Sequence, residues 1–192
     1  MQWPTVLRSS GYRSTPWRNG AGTTREVAAE AATDGAGFRW RVSIAQVADS
    51  GPFSDFPGVD RIIVPLDTAG LHLTVDGAQQ PVSQFEPFAF PGEAATAARL
   101  STGSTRDLNV MWRRDICRAS VEIVETDKPW AIPPATSQAR LCVMLFATAT
   151  VTDTALTAQT VALDELDAVF LPASGTVEPV GDRMVAAVIV VF

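Results

Sequence analysis

Apolar and polar residues along this chain alternate with a period of two far more often than with the helical period. Phe38, Trp40, Val42 and Ile44 fall on one face of the segment Phe38–Val47, with Arg39, Arg41 and Ser43 on the other. That is the pattern of a strand. Leu71, Leu73 and Val75 alternate with His72 and Thr74, and Asp76-Gly77 follows as a type I′ hairpin turn. Leu108, Val110 and Trp112 alternate with Asp107, Asn109 and Met111. Residues 140–151 and 184–192 are nearly continuous apolar runs, which predicts strands buried on both faces. The alanine-rich stretch 23–33 lacks a capped apolar stripe, and Thr23, Thr24 and Val27 favour a strand there too. With 13 prolines and 13 glycines breaking the chain at short intervals, the prediction is an all-β barrel or sandwich with few or no helices.

One element occurs twice. Residues 81–91 read PVSQFEPFAFP and residues 162–172 read ALDELDAVFLP. Aligned on the final proline, Val82 meets Leu163, Phe85 meets Leu166, Glu86 meets Asp167, Phe88 meets Val169 and Phe90 meets Leu171. Each copy precedes a last strand, at residues 106–112 and 184–191. The repeat predicts two similar β units, 1–115 and 116–192, packed as one compact body. The two last strands differ in one respect. Residues 106–112 are polar at alternate positions, whereas residues 184–189 carry no polar side chain.

Composition narrows the chemistry. A chain of 192 residues with 46% hydrophobic content can bury one ordinary core or two small ones. Its apolar runs are too short to span a bilayer, and its first residues read as a structured segment rather than a signal. A cytoplasmic protein without a membrane partner is expected. The net charge of −6 argues against nucleic acid. Cys117 and Cys142 lie far apart, and His72 is the single histidine. A structural zinc site wants about four such ligands, so no metal, no cofactor and no disulfide are expected, and a Ser-His-Asp triad is hard to build.

Polar residues gather in three places. Asp107 and Asn109 share one strand face; inward, they would line a cavity, and outward, they would meet solvent. Residues 16–26, PWRNGAGTTRE, combine a stacking ring, Trp17, with Arg18, Asn19 and two glycines. The spacing is not that of a phosphate loop. Residues 51–61, GPFSDFPGVDR, form a loop whose Phe53 and Phe56 are expected to plug a barrel end, with a lid over a cavity mouth as the alternative. Arg41 supplies a positive charge if its face is internal, and His72 reads as an ordinary strand residue.

These segments, in this order, resemble the HutD/Ves family: PWRNGAGTTREVA (16–28), FRWRVSIAQV (38–47), GPFSDFPGVDR (51–61), FPGE (90–93) and TRDLNVMWRR (105–114). They cover most of the first 115 residues, whereas the later part matches only as a run of strands. The resemblance implies a bicupin, two packed jelly-roll barrels without the usual histidine-rich metal motif. It also implies a ligand pocket in the first barrel and a second, degenerate barrel. Family members associated with histidine utilisation are thought to modulate that pathway by binding a small acid such as urocanate or formylglutamate; others are known as stress- or cold-induced proteins. Carried onto this chain, the implied ligand-binding residues are Trp17, Arg18, Asn19, Thr23, Arg25, Asp107 and Asn109, and Arg41 joins them on the alternation argument above. No catalytic residue is assigned. The expectation is a monomeric or homodimeric binding protein rather than an enzyme, with a metal-independent isomerase or hydrolase using Asp107 as base as the alternative.

Overall fold

The structure is a computed structural model. It describes residues 4–192 apart from 18, 36, 102, 135–138, 156 and 157. Among the described residues the helical content is one 3-10 turn, Ser9–Gly11. The rest is strand and loop, in the order β1 (Val6–Leu7), β2 (Arg13–Pro16), β3 (Gly22–Ala31), β4 (Phe38–Val47), β5 (Gly51–Pro52), β6 (Val59–Pro65), β7 (Leu71–Val75), β8 (Ala78–Val82), β9 (Phe88–Pro91), β10 (Thr96–Arg99), β11 (Thr105–Arg113), β12 (Ala119–Thr126), β13 (Trp130–Ala131), β14 (Ala139–Asp153), β15 (Thr160–Leu163), β16 (Ala168–Phe170) and β17 (Gly175–Val191). The predicted all-β class is what the chain adopts. No helix among the described residues is long and apolar enough to cross a membrane.

The chain divides into two compact units: Arg13–Ala119, and the described residues up to Tyr12 together with Ser120–Phe192. In Arg13–Ala119 a six-stranded sheet runs β2-β3-β4-β11-β6-β9 and a four-stranded sheet runs β5-β10-β7-β8. Ile63 and Phe90 of the first sheet form one apolar cluster with Leu71, Leu73, Val82 and Ala98 of the second, so the core lies between the sheets. The predicted hairpin joins β7 to β8, with φ of 47° at Asp76 and 83° at Gly77, positive at both central positions as a type I′ turn demands.

The other unit is one seven-stranded sheet, β1-β16-β14-β17-β12, with β13 on β17 and β15 on β14. Its order repeats that of the first unit: β12-β17-β14-β16 matches β4-β11-β6-β9, and β13-β17-β14-β15 matches β5-β10-β7-β8. The long strands β14 and β17 each do the work of two shorter ones, and the register shifts between Met144, Phe146 and Thr148 mark where β14 bends. No sheet closes on itself among the described residues.

The repeated segment folds the same way in both places. Phe85 and Leu166 have φ of 60° and 67°. Phe85 N donates to Pro65 O at 2.8 Å, and Leu166 N to Met144 O at 2.7 Å. Glu86 then turns back to accept from Ser83 N at 3.0 Å, as Asp167 accepts from Asp164 N at 3.2 Å.

Candidate functional site

The site is built on β11. Residues directly opposite each other in antiparallel strands share a face, so the registers of β4 and β6 against β11 define cross-strand rows. These are Arg41–Met111–Arg61, Ser43–Asn109–Ile63 and Ala45–Asp107–Pro65. On the far side of β4, β3 sets Glu26 beside Ser43 and Thr24 beside Ala45. β2 adds Arg13 beside Glu26 and Thr15 beside Thr24. This face looks onto a cavity of about 660 Å³, bounded also by Trp17, Asn19, Phe53 and Phe56. The opposite face of the same strands carries Trp40, Val42, Ile44, Leu108, Val110 and Trp112, all buried. The sheet is therefore covered on both sides, and its polar face is the one that meets the cavity.

The rim is held by backbone geometry. Trp17 N donates to Gly22 O at 2.9 Å and Gly20 N to Trp17 O at 3.0 Å, with Gly20 at a φ of 73° that favours glycine. Asn19 Oδ1 accepts from Ala21 N at 3.1 Å, and the Trp17 indole N–H donates to Thr24 Oγ1 at 2.8 Å. A Cβ on Gly22 would stand 2.3 Å from Gln46 O and 3.0 Å from the Trp17 ring, so only glycine lets the indole lie there. Trp17 meets Phe53 edge-on, with centroids 6.4 Å apart. Gly92 supports the other side: its carbonyl accepts from Phe56 N at 2.9 Å and its N–H donates to Val59 O at 2.7 Å.

Arg61 is 5% exposed. Its guanidinium carbon lies 4.9 Å from the Phe90 ring centroid, 5.3 Å from Phe53 and 5.7 Å from Phe56, close enough for cation–π attraction. The Arg41 guanidinium lies 5.0 Å from Phe38 and 5.9 Å from Phe56. Phe53 and Phe56 thus wall the cavity, both within reach of Arg61 and Phe56 within reach of Arg41 as well. Asp107 is 1% exposed and Asn109 8%. Arg41 Nε, Arg61 Nε, Asp107 Oδ1 and Asn109 Oδ1 are all buried without a hydrogen-bond partner in the protein, and such atoms are costly unless something satisfies them.

Burial pushes the Asp107 carboxyl up to about 7, with Arg61 pulling the other way. Burial likewise brings Arg61 down to about 10, opposed by Asp107 and reinforced by Arg41. Arg41 is lowered by burial and partly restored by Glu26, which also pairs with Arg13 at 3.6 Å. Arg13, Arg41 and Arg61 outnumber the carboxyls of Glu26 and Asp107 around the cavity, and burial works against ionisation of Asp107, so the lining is positive. Among the described residues no three His, Cys, Asp or Glu side chains come together as a metal ligand set.

Of the residues singled out from sequence, Trp17, Asn19, Arg41, Asp107 and Asn109 line the cavity. Arg18 lies outside the described residues. Thr23 and Arg25 do not line it; strand alternation gives that face of β3 to Thr24 and Glu26 instead. Sequence reasoning missed Arg13, Thr24, Glu26, Ser43, Arg61 and Met111. For Ser43 the alternation with Arg41 was the available signal. His72 is exposed on β7 and away from the lining.

The HutD family profile matches residues 9–187. The chain belongs to the HutD family. This HutD-family chain is 39% identical over 118 residues to an uncharacterized 21.2 kDa protein in the hutC 3′ region of Pseudomonas putida, covering 61% of this chain and 62% of that one. It is 41% identical over 113 residues to protein Ves of Escherichia fergusonii, covering 57% and 58%. The chain thus spans less than two thirds of the length of these curated relatives. Among solved structures, it is similar to a conserved protein of unknown function from Pseudomonas aeruginosa PAO1, with 27% identity, a TM-score of 0.86 and coverage of 98% and 97%. HutD from Pseudomonas fluorescens SBW25 matches with 29% identity, a TM-score of 0.81 and the same coverage of 98% and 97%. A cupin 2 conserved barrel domain protein from Leptotrichia buccalis shares only 8% identity but matches with a TM-score of 0.63 over 100% of this chain and 98% of that one, which places the HutD-family fold among cupin-like folds.

Proposed function

We propose that the cavity of the unit Arg13–Ala119 binds a small carboxylate of the urocanate or formylglutamate type, and that the protein modulates histidine utilisation or a stress response by holding it. The observation that carries this reading is the pair of arginines, Arg41 and Arg61, whose buried Nε atoms lack partners at the wall of a positive, aromatic-sided cavity. Guanidinium groups are the side chains best suited to a carboxylate in a desolvated site, and a few fixed polar groups among aromatic walls is how small-molecule pockets are made. The names of the relatives, HutD and a protein of the hutC 3′ region, support the link to histidine breakdown. The two units, with their repeated strand order, are read as the two barrels of a bicupin, the first carrying the ligand. The protein would act in the cytoplasm as a monomer or homodimer, without metal or cofactor.

A ligand that binds only the folded state raises the unfolding midpoint; at a hundred times its dissociation constant it adds about 2.7 kcal/mol. Urocanate or formylglutamate at millimolar concentration is expected to raise Tm, and Arg61→Leu to abolish the rise. A panel of small acids that leaves Tm unmoved would defeat the proposal. A metal-independent enzyme is the second reading, favoured by Asp107, whose carboxyl is raised to about 7, the range in which a general base works best at neutral pH. Turnover of a bound acid that disappears in Asp107→Asn would favour that reading; binding with no turnover would favour the first.

A further inference from the structure

We propose that the outer edge of β9 is a docking site for an extended, arginine-bearing segment of another protein, which adds to the six-stranded sheet as one more strand.

The occupant of the matching edge in the other unit supplies the chemistry. β9 and β16 belong to the same repeated element. β16 carries β1 along its outer side, whereas no strand pairs the outer side of β9 among the described residues. On β16, Val6 stands opposite Val169 and Leu7 opposite Ala168, and Phe170 N donates to Thr5 O at 3.2 Å. Arg8 then closes on Asp167 at 2.7 Å and donates to Ala162 O at 2.9 Å. Ser9 N donates to the same carboxylate at 2.7 Å. Two apolar residues followed by arginine are thus held by a strand ladder at one end and a carboxylate at the other.

Those acceptors have counterparts beside β9. Aligned on the final proline, Pro81, Glu86, Pro87, Phe88 and Ala89 stand where the second copy has Ala162, Asp167, Ala168, Val169 and Phe170. Cover is what differs. Asp167 is 3% exposed, and Ala168 and Val169 are both at 0%; Glu86 and Pro87 are exposed and Phe88 is half-buried. Phe88 stacks on Phe90 with centroids 5.9 Å apart and offers an apolar surface where Val6 covers its counterpart. Strand alternation turns the Ala89 N–H outward, as it does that of Phe170. Pro87 and Pro91 on either side have no N–H, and prolines keep a sheet edge from pairing indiscriminately. An added strand therefore depends on the Ala89 N–H for its ladder and on Glu86 for its arginine. Addition of an extended segment to an open edge is a common mode of peptide recognition. The segment comes from another protein because this chain's own arginine strand, β1, is already engaged on β16.

The probe is the synthetic peptide PTVLRSSGY, residues 4–12 of this chain, carrying a fluorophore at its N-terminus and titrated with the full chain. Fluorescence anisotropy is expected to show saturable binding. Arg8→Gln in the peptide and Glu86→Gln in the chain should each weaken it about threefold to tenfold, as loss of a charge-assisted bond at an exposed site does. Ala89→Pro should abolish it with Tm unchanged, since an edge strand tolerates proline where its N–H faces solvent. If Ala89→Pro disturbs the fold, Glu86→Gln alone decides. A peptide that does not bind overturns the proposal. Binding that neither chain variant weakens also overturns it, because the peptide then sits elsewhere, as by exchange with β1 on β16. Self-association of the parent chain that Ala89→Pro abolishes would make the occupant a second copy and overturn the assignment to another protein.

Discussion

The last strand of each unit occupies the same place in the same strand order, yet the two interiors differ in kind. Asp107 sits beside Pro65 and Asn109 beside Ile63; at the matching points of β17, Ala186 sits beside Met144 and Val188 beside Cys142. Met144, Met184, Ala186 and Val188 belong to an apolar cluster that fills the C-terminal unit. The corresponding space in Arg13–Ala119 is partly a cavity with polar walls. Even the buried arginine recurs: Arg61 pairs with Phe90 in one unit, and Arg140 bonds to Leu171 in the other. The Arg140 guanidinium donates to the carbonyls of Pro133 and Pro172, whereas Arg61 Nε has no partner. A buried cation finished by backbone carbonyls is structural; one left open beside a cavity is available to something else.

The sharpest way to break the comparison is to move a charge across it. Ala186→Asp places a carboxylate beside Met144 and within the apolar cluster that holds Met184 and Val188. The expected cost is about 5 kcal/mol or more, comparable with the whole stability of a domain, read as loss of a cooperative unfolding transition. Asp107→Ala, the reverse change at the matching position, should leave the chain folded. A variant Ala186→Asp with the parent Tm would mean the two interiors are not different in the way described.

The next effect is set by pH. The Asp107 carboxyl is raised from 3.8 to about 7 by burial. Between those values the folded chain keeps a proton that the unfolded chain has released, so stability falls as pH climbs from about 4 to about 7 and levels off above. Three pH units correspond to at most about 4 kcal/mol, reduced by whatever water reaches the cavity. Asp107→Asn removes the titration. The variant should match the parent near pH 4 and exceed it at pH 8, with urea midpoints as the measurement. Asp67 and Asp167, whose carboxyls are held low by hydrogen bonds from Arg106 and from Ser9 and Arg8 against the opposing effect of burial, weaken both proteins alike in acid, so only the difference between them bears on Asp107. Parallel curves would show that the carboxylate is solvated after all.

Much of the fold was legible in the chain because period-two alternation is visible wherever the two faces of a strand differ. The bounds of β4 came from that pattern, the β7–β8 turn from the Asp76-Gly77 pair, and the repeated segment around Phe85 and Leu166 from the likeness of residues 81–91 to 162–172. Arg61 was hidden for the opposite reason. In VDRIIVP both faces are buried, so the run does not alternate and the arginine reads as a loop end. On β3 the difficulty was different: Thr23 and Thr24 are alike, as are the flanking charged residues Arg25 and Glu26 in length, and nothing local says which pair faces inward. The answer comes from the register with β4, a contact distant in sequence. The continuous apolar run 140–151 likewise gave no sign of the register shifts on either side of Phe146, between Met144 and Thr148, where β14 passes from one position to the other.

The smallest effect tests the arginines themselves. Arg140→Leu leaves the carbonyls of Pro133 and Pro172 without their donor. Each buried acceptor so exposed costs about 1–3 kcal/mol, and a destabilisation of about 3 kcal/mol is expected. Arg61→Leu removes a cation that already lacks a partner at Nε and has given up its hydration to lie among Phe53, Phe56 and Phe90. Replacing such a charge with an apolar side chain of similar reach is often nearly neutral. Asp107 loses its counter-charge in this variant, but at neutral pH it responds by keeping its proton rather than by straining the fold. Stability within about 1 kcal/mol of the parent is therefore expected, together with loss of acid binding. Equal destabilisation by the two substitutions would make Arg61 a structural residue like its counterpart, and the cavity would lose its claim to an anion.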